Sequence, residues 1–300
     1  FTPDVYLPSG ACLVQDKIYA FDVELDSQRA LRVLADPIAS ALHSADTYQQ
    51  TLAHEVAVQE LAVAGQIQAS FLPDGLPQIE GWQIAAALLP ARETSGDFYD
   101  AFALPNGRLG LLVADVSDKG MGAALYMALS RTLLRTYAFE YHARPDFVMR
   151  VANRRMLADT QAGLFVSVFY GVVDPYAGTL TYANAGHNPA YLVSHGSRAQ
   201  VTTLSRTGMV LGVMEGRDWD EVTLPMHPGD MLVLYSDGIT EAQNERGEFF
   251  GEERLRTLVG ACYGGPASAV RDGILAAVHD FAGEAMQFDD ITLMVVVRNE

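Results

Sequence analysis

Apolar residues recur at two spacings along this chain, and the changes of spacing mark its elements. Between residues 29 and 45 they fall three and four apart, at Leu31, Leu34, Ile38, Leu42 and Ala45. That is one face of a helix, which Pro37 should bend or restart. Residues 47–71 contain no proline, and Leu52, Val56, Val63 and Ile67 share one side. This reads as a linker helix that pairs with a second copy of itself or, because Gln59 and Gln66 interrupt the seam, packs on its own domain. Leu72-Pro73-Asp74-Gly75-Leu76-Pro77 stops it and marks a domain boundary. Residues 1–28 are turn-rich, with one strand-like stretch at 17–23.

Beyond residue 78 the period shortens. Residues 109–114, 164–173, 178–183, 231–235 and 291–297 are short, β-rich and bounded by turn residues. In 164–173 the alternation places Leu164, Val166, Val168, Tyr170 and Val172 on one face. Asp174-Pro175-Tyr176-Ala177-Gly178 then turns the chain into the next strand. Helical spacing returns at 121–141, 146–159, 252–262 and 266–283. Hairpins with grouped helices predict an α+β protein, with antiparallel sheets covered by helices, and not a doubly wound parallel sheet. There is no internal repeat.

Composition narrows the class. Three hundred residues at 49% hydrophobic content support one large core, or one core with a small appendage. A charged fraction of 19% and a mean hydropathy of +0.09 argue against disorder. No apolar run reaches the roughly 18–20 residues that a membrane-spanning helix requires. Cys12 and Cys262 form no CxxC and no disulfide framework, and no secretory signal is present, so a reduced cytoplasmic setting is expected. A start at Phe1 without Met suggests a piece of a longer chain. The formal net charge of -17, without a basic patch, disfavours nucleic acid as a partner. No membrane association is expected either.

Acidic residues stand where strands end. Asp97 follows Ser95-Gly96; Asp115 follows the apolar run 109–114; Asp237 follows 231–235 and Ser236; Asp289 and Asp290 precede 291–297. Strand ends are rigid platforms, and adjacent glycines let backbone approach a ligand. Carboxylates grouped without thiols or a histidine cluster suit hard divalent ions such as Mg²⁺ or Mn²⁺ rather than zinc. Taken singly, each aspartate reads first as an ordinary turn residue, and spacing alone supports only a candidate carboxylate metal site.

From residue 66 to 297 the chain resembles the PPM superfamily of metal-dependent protein phosphatases, in its bacterial stage II sporulation protein E/RsbU-like branch. The motifs are Phe71-Leu72-Pro73, LLPARETSGDFYD (88–100), DVSDKGMGAA (115–124), residues 165–170, NAGHNP (184–189), PGDMLVLYSDGITE (228–241), residues 249–255 and DDITL (289–293), all in family order. The resemblance implies an α-β-β-α sandwich of two mainly antiparallel sheets flanked by helices, and a serine/threonine phosphatase using two Mn²⁺ or Mg²⁺ ions about 4 Å apart. A water bridging the metals would attack as hydroxide. Asp115 matches the bridging carboxylate, and the Val116 backbone carbonyl the ligand beside it. Asp97, Asp237 and Asp289 match the remaining carboxylates, with Asp290 as the alternative to Asp289. Asp115, Asp237 and Arg92 are the expected catalytic residues; Arg92 stands where relatives carry a phosphate-binding arginine, or is a solvated surface arginine. Lys119 reads first as a turn lysine, and His187 as part of a supporting turn ahead of a general acid. Ser117 has no histidine near it and is no nucleophile. Two departures from the family pattern are Ser95, where glycine is usual, and Asp118, where glycine is common.

The implied partner is a phosphorylated protein, a STAS-domain anti-sigma-factor antagonist, and a homodimer through the linker helix is expected. The N-terminal segment is similar to the closing helix of a GAF sensor. Expected domains are therefore 1–46 (sensor tail), 47–77 (linker or switch helix) and 78–300 (phosphatase). The competing readings are a catalytically weak docking module on the same fold and an acidic calcium-binding structural domain; the latter leaves NAGHNP and DDITL unexplained.

Overall fold

The computed structural model describes residues 5–7, 11–14, 17–20, 28–73, 75–160, 163–194 and 199–299. The chain forms two compact units, 1–60 and 61–300. In the first, strands β1 (Val5–Leu7), β2 (Ala11–Val14) and β3 (Lys17–Ala20) form an antiparallel sheet. Positions 21–23 of the expected strand, and Asp74 of the expected helix stop, lie outside the described residues.

Helix α1 runs from Gln28 to Ala69 without a break. Pro37 neither bends nor restarts it enough to divide it, contrary to expectation. A proline removes one backbone donor, and the long apolar-spaced runs on both sides carry the helix past that loss. The boundary between the two units falls inside this helix, after Glu60.

Among its described residues the second unit holds ten strands in two five-stranded sheets. They are β4 (Trp82–Leu89), β5 (Phe98–Ala103), β6 (Leu109–Val116), β7 (Val166–Asp174), β8 (Thr179–Ala185), β9 (Ala190–Ser194), β10 (Gln200–Leu204), β11 (Val222–Pro225), β12 (Met231–Tyr235) and β13 (Ile291–Arg298). The helices are α2 (Met121–Glu140), α3 (Pro145–Asp159), α4 (Asp237–Thr240), α5 (Glu252–Ala261) and α6 (Ala267–Ala282). One sheet has the order β11-β8-β7-β6-β5 and the other β10-β9-β12-β13-β4, with every neighbouring pair antiparallel.

Three cores make the four layers. Along β7, Val166, Val168, Tyr170 and Val172 join a core with Met127 and Leu134 of α2 and Val148 and Met149 of α3. Phe169 and Val173, on the other face, meet Leu232, Leu234, Met294 and Val296 between the sheets. Outside the second sheet, Val233, Tyr235, Leu293 and Val295 pack on Leu255 and Val259 of α5 and Ile274 and Val278 of α6. This is the α-β-β-α sandwich, and both sheets are apolar on both faces because each is covered twice. Leu164 falls just before β7 and is half-buried, since pairing with β6 begins only at Val166.

Asp100 shows how α2 is fixed to its sheet. It is fully buried on β5 and bonds to Arg131 at 2.8 Å and Arg135 at 2.7 Å. The Arg135 guanidinium also lies 4.8 Å from the Phe102 ring centre. Asp100→Asn would leave two cations facing a neutral buried amide, so unfolding in urea should show a loss of about 2–4 kcal/mol; a change within about 0.5 kcal/mol would show that this network carries little stability.

Candidate metal centre

The adjoining ends of the two sheets bring the expected aspartates together. Ala114 and Val116 of β6 point into the helix-side core, so alternation turns Asp115 to the opposite side, toward the other sheet. Asp97 lies immediately before β5, which pairs with β6 from Phe98↔Ala114. The two chains approach closely here: the Val116 amide donates to the Gly96 carbonyl at 3.3 Å, and any side chain at Gly96 would put its first carbon 2.9 Å from the Val116 carbonyl oxygen. Only glycine fits without a shift.

From the other sheet come Asp237, which begins α4 after β12, and Asp289 and Asp290, which precede β13. A side chain at Gly238 would stand 2.0 Å from the Asp290 carbonyl oxygen, so this glycine lets the two strand ends meet. Thr292 joins the sheets. Its amide donates to the Ser236 hydroxyl at 2.9 Å, and its own hydroxyl donates to Asp97 Oδ2 at 2.6 Å.

The neighbouring carboxylates Asp289 and Asp290 have different partners. Asp290 is buried and its two oxygens accept from the Ala91 amide (2.8 Å), the Ser95 hydroxyl (2.7 Å) and the Gly96 amide (2.9 Å). It holds the loop that carries Asp97. Asp289 is half-exposed, pairs with Lys119 Nζ at 2.9 Å and accepts the Asp290 amide on the same oxygen. Lys119 also donates to the Phe288 carbonyl at 2.7 Å, so it is a tie between two loops and not a free turn lysine.

Electrostatics couples the group. Burial, then repulsion from Asp237, pushes the Asp115 carboxyl up to about 7, with a hydrogen bond to Asp97 opposing and Asp289 and Asp290 adding to the rise. Burial and then Asp115 hold Asp97 well above the ordinary carboxylate range. Asp237 is raised by burial and then by Asp289, with Lys119 opposing. Among the described residues no three carboxylate, imidazole or thiol side chains already close round a single point. All-oxygen donors on separate strand ends still fit Mg²⁺ or Mn²⁺, because such ions keep several waters and take only one or two carboxylates each. A buried acidic cluster with one lysine beside it is also short of positive charge.

The profile of stage II sporulation protein E matches residues 105–299. This chain belongs to that family. Protein IcfG of Synechocystis sp. is 35% identical, over 80% of this chain and 42% of IcfG. Phosphoserine phosphatase RsbU of Bacillus subtilis is 31% identical, over 80% of this chain and 70% of RsbU. The chain thus spans less than half of IcfG. The SiaA-PP2C domain of Pseudomonas aeruginosa has the same fold, with a TM-score of 0.71 at 22% identity over 83% of this chain and 99% of that one. The α-β-β-α sandwich is therefore the fold of that PP2C domain.

Within this family, the two departures have local causes. Ser95 is buried; its hydroxyl donates to Asp290 and accepts the Asp97 amide at 3.0 Å, so serine adds a bridge that glycine lacks. Asp118 has φ of 74°, the left-handed region in which glycine is unstrained and aspartate is tolerated. His187 is buried, and burial drives its pKa down to about 3, so it is neutral; Nδ1 bonds to the Ser167 hydroxyl at 2.7 Å and its amide donates to Asn184 Oδ1 at 2.8 Å. It belongs to the supporting turn. Ser117 accepts the Phe165 amide at 2.9 Å. Arg92 is exposed on the loop held by Asp290 and has no ion pair or hydrogen bond among the described residues.

Sequence reasoning missed Thr292 and Gln68. Thr292 had a signal, a polar residue inside the apolar run 291–297, and it is fully buried. Gln68, near the end of α1, is also buried: its Oε1 accepts the Ser95 amide at 2.9 Å and its amide group donates to the Ser95 carbonyl. Nothing separates it in sequence from the exposed glutamines around it.

The raised Asp115 carboxyl predicts a pH signature. A carboxyl at about 7 when folded, against 3.8 unfolded, stabilises fully below about pH 4 and loses that contribution as pH rises through 7. In EDTA the melting temperature should fall across this window. Asp115→Asn should make the fall shallower and raise the midpoint at pH 8 by about 3–8 °C. Equal pH slopes for both proteins would refute the buried-carboxylate account.

Proposed function

We propose that this chain is a protein phosphatase that hydrolyses phosphoserine and phosphothreonine on a protein substrate, with two Mn²⁺ or Mg²⁺ ions bound. The observation that carries the reading is the meeting of Asp97 and Asp115 from one sheet with Asp237 and Asp289 from the other, with Lys119 paired to Asp289. In this reading Asp115 and the Val116 carbonyl, with Asp97, Asp237 and Asp289, hold the ions. The separate hydrogen bonds of Asp290 favour Asp289 over it as a ligand. When bound, the ions supply Lewis acidity toward the phosphoryl oxygens and toward water.

The protein groups have definable tasks. Thr292 fixes one oxygen of Asp97, and a hydrogen bond links Asp97 to Asp115. Asp290 and Ser95 set the loop from Ala91 to Asp97, on which Arg92 is exposed and free to make a fork contact with phosphate. Gly96 and Gly238 keep the strand ends close enough for their carboxylates to act on one group.

The family relation to RsbU, a phosphoserine phosphatase by name, supports phosphoserine as the group hydrolysed; a STAS-type antagonist as the protein that carries it, and a cytoplasmic setting, belong to the same proposal. Residues 47–71 are proposed as the switch that conveys the state of a preceding sensor. Support comes from Gln68 gripping Ser95, and from Gly65, where a side chain would meet the Glu93 carbonyl oxygen at 2.0 Å. Leu42, Leu52, Val56 and Val63 are exposed along α1, which supports pairing with a second copy.

With p-nitrophenyl phosphate and Mn²⁺, Asp115→Asn and Asp237→Asn should each reduce turnover at least ~100-fold, and Asp290→Asn about 10-fold through loop position. Equal rates in all four proteins would refute the enzyme assignment and leave the docking-module reading. Gln68→Ala should shift the Mn²⁺ concentration giving half-maximal rate about 10-fold, in either direction; an unchanged curve would remove α1 from control of the site.

A further inference from the structure

The wall of the carboxylate cluster does not end at Asp289. Asp289 and Gly238 also line a pocket of about 220 Å³ between the end of α6, the segment after α4 and the chain leading into β13. Leu89, Leu275, Val278 and Ile291 give it an apolar lining, and Met286 and Phe288 contribute to its rim. Those last two are 78% and 59% exposed. Large apolar side chains left in water beside a cavity mark a contact surface, and methionine adapts its shape to what it meets.

The size suits a side chain better than a cofactor. Sites for drug-sized ligands run from roughly 300 to 1,000 Å³, and this one is smaller. It suits one side chain. Charge then selects which kind. Glu241 and Asp289 stand in the lining, and the whole chain carries a formal charge of -17. An acidic side chain would be repelled here, and since Lys119 already pairs with Asp289, the wall of Leu89, Leu275, Val278 and Ile291 sets the preference for an apolar one.

We propose that this pocket is a substrate subsite that takes one apolar side chain (Leu, Ile, Met or Phe) within three residues of the phosphorylated serine. The inference rests on the phosphatase reading, since the pocket borders the carboxylate cluster through shared residues. The phosphoryl group lies at the cluster, and the neighbouring side chain enters beside Asp289. The cluster supplies the chemistry for any phosphate monoester, whereas the pocket selects the protein that carries it.

The test uses the full chain with Mn²⁺ and a set of phosphoserine peptides in an alanine host, with leucine placed in turn at each of three positions on either side. One position should raise kcat/KM about 10–100-fold over the all-alanine peptide, the range for an apolar group entering a pocket. Ala285→Trp, which fills the pocket from its half-buried lining, should abolish that gain and leave p-nitrophenyl phosphate turnover unchanged. Met286→Asp, at an exposed rim position, should reduce the gain at least 5-fold without touching the fold. Turnover of p-nitrophenyl phosphate with peptide rates indifferent to leucine would overturn the subsite alone, as would a leucine gain that survives both variants. No Mn²⁺-dependent turnover of any substrate would overturn the phosphatase reading and this inference with it.

Discussion

Several carboxylates buried against one another repel, and each loses solvation; the end of this sandwich is organised around containing that cost. Asp97 and Asp115 come from one sheet and Asp237 and Asp289 from the other, so the repulsion acts across the seam between the two sheets. The Thr292 hydroxyl crosses that seam to reach Asp97, and Lys119 ties the segment after β6 to the one before β13. Glycines at 96 and 238 make the approach sterically feasible. What these contacts leave uncompensated is negative charge, which is the property that a divalent cation needs.

Positioning of this group is hierarchical. Asp290 uses its carboxylate on the backbone of the Ala91–Gly96 loop, which sets Asp97; Gln68 then grips the same loop through Ser95. The end of α1 is thereby two hydrogen-bonded contacts from a candidate ligand. A small displacement of that helix end would be felt at the loop, because hydrogen-bonded, closely packed segments do not deform independently. The pair Asp289-Asp290 divides its work by direction: alternation at a strand start sends successive side chains to opposite sides.

The layers of the second unit were legible from periodicity. Residues 164–173 alternate in sequence, and β7 does separate a helix-side core from an inter-sheet core along that alternation. The four longer helices of this unit lie within two residues of the spans read from apolar spacing, since spacing reports which face meets a core. Pro37 misled because local propensity was weighed without the length of helix on either side. β10 and β11 carried little signal, being short, largely exposed edge strands without a strong apolar pattern.

Sequence alone determined the layered fold, the family and the short list of acidic residues, because periodicity and motif order are properties of the chain itself. Tertiary structure alone decided the partnerships: that Asp290 serves the loop while Asp289 faces Lys119, that His187 is neutral and supporting, and that a glutamine of α1 reaches Ser95. These are contacts between groups as far as 199 positions apart. A hydrogen bond depends on distance in space to a few tenths of an ångström, and such distances exist only once the sheets have packed.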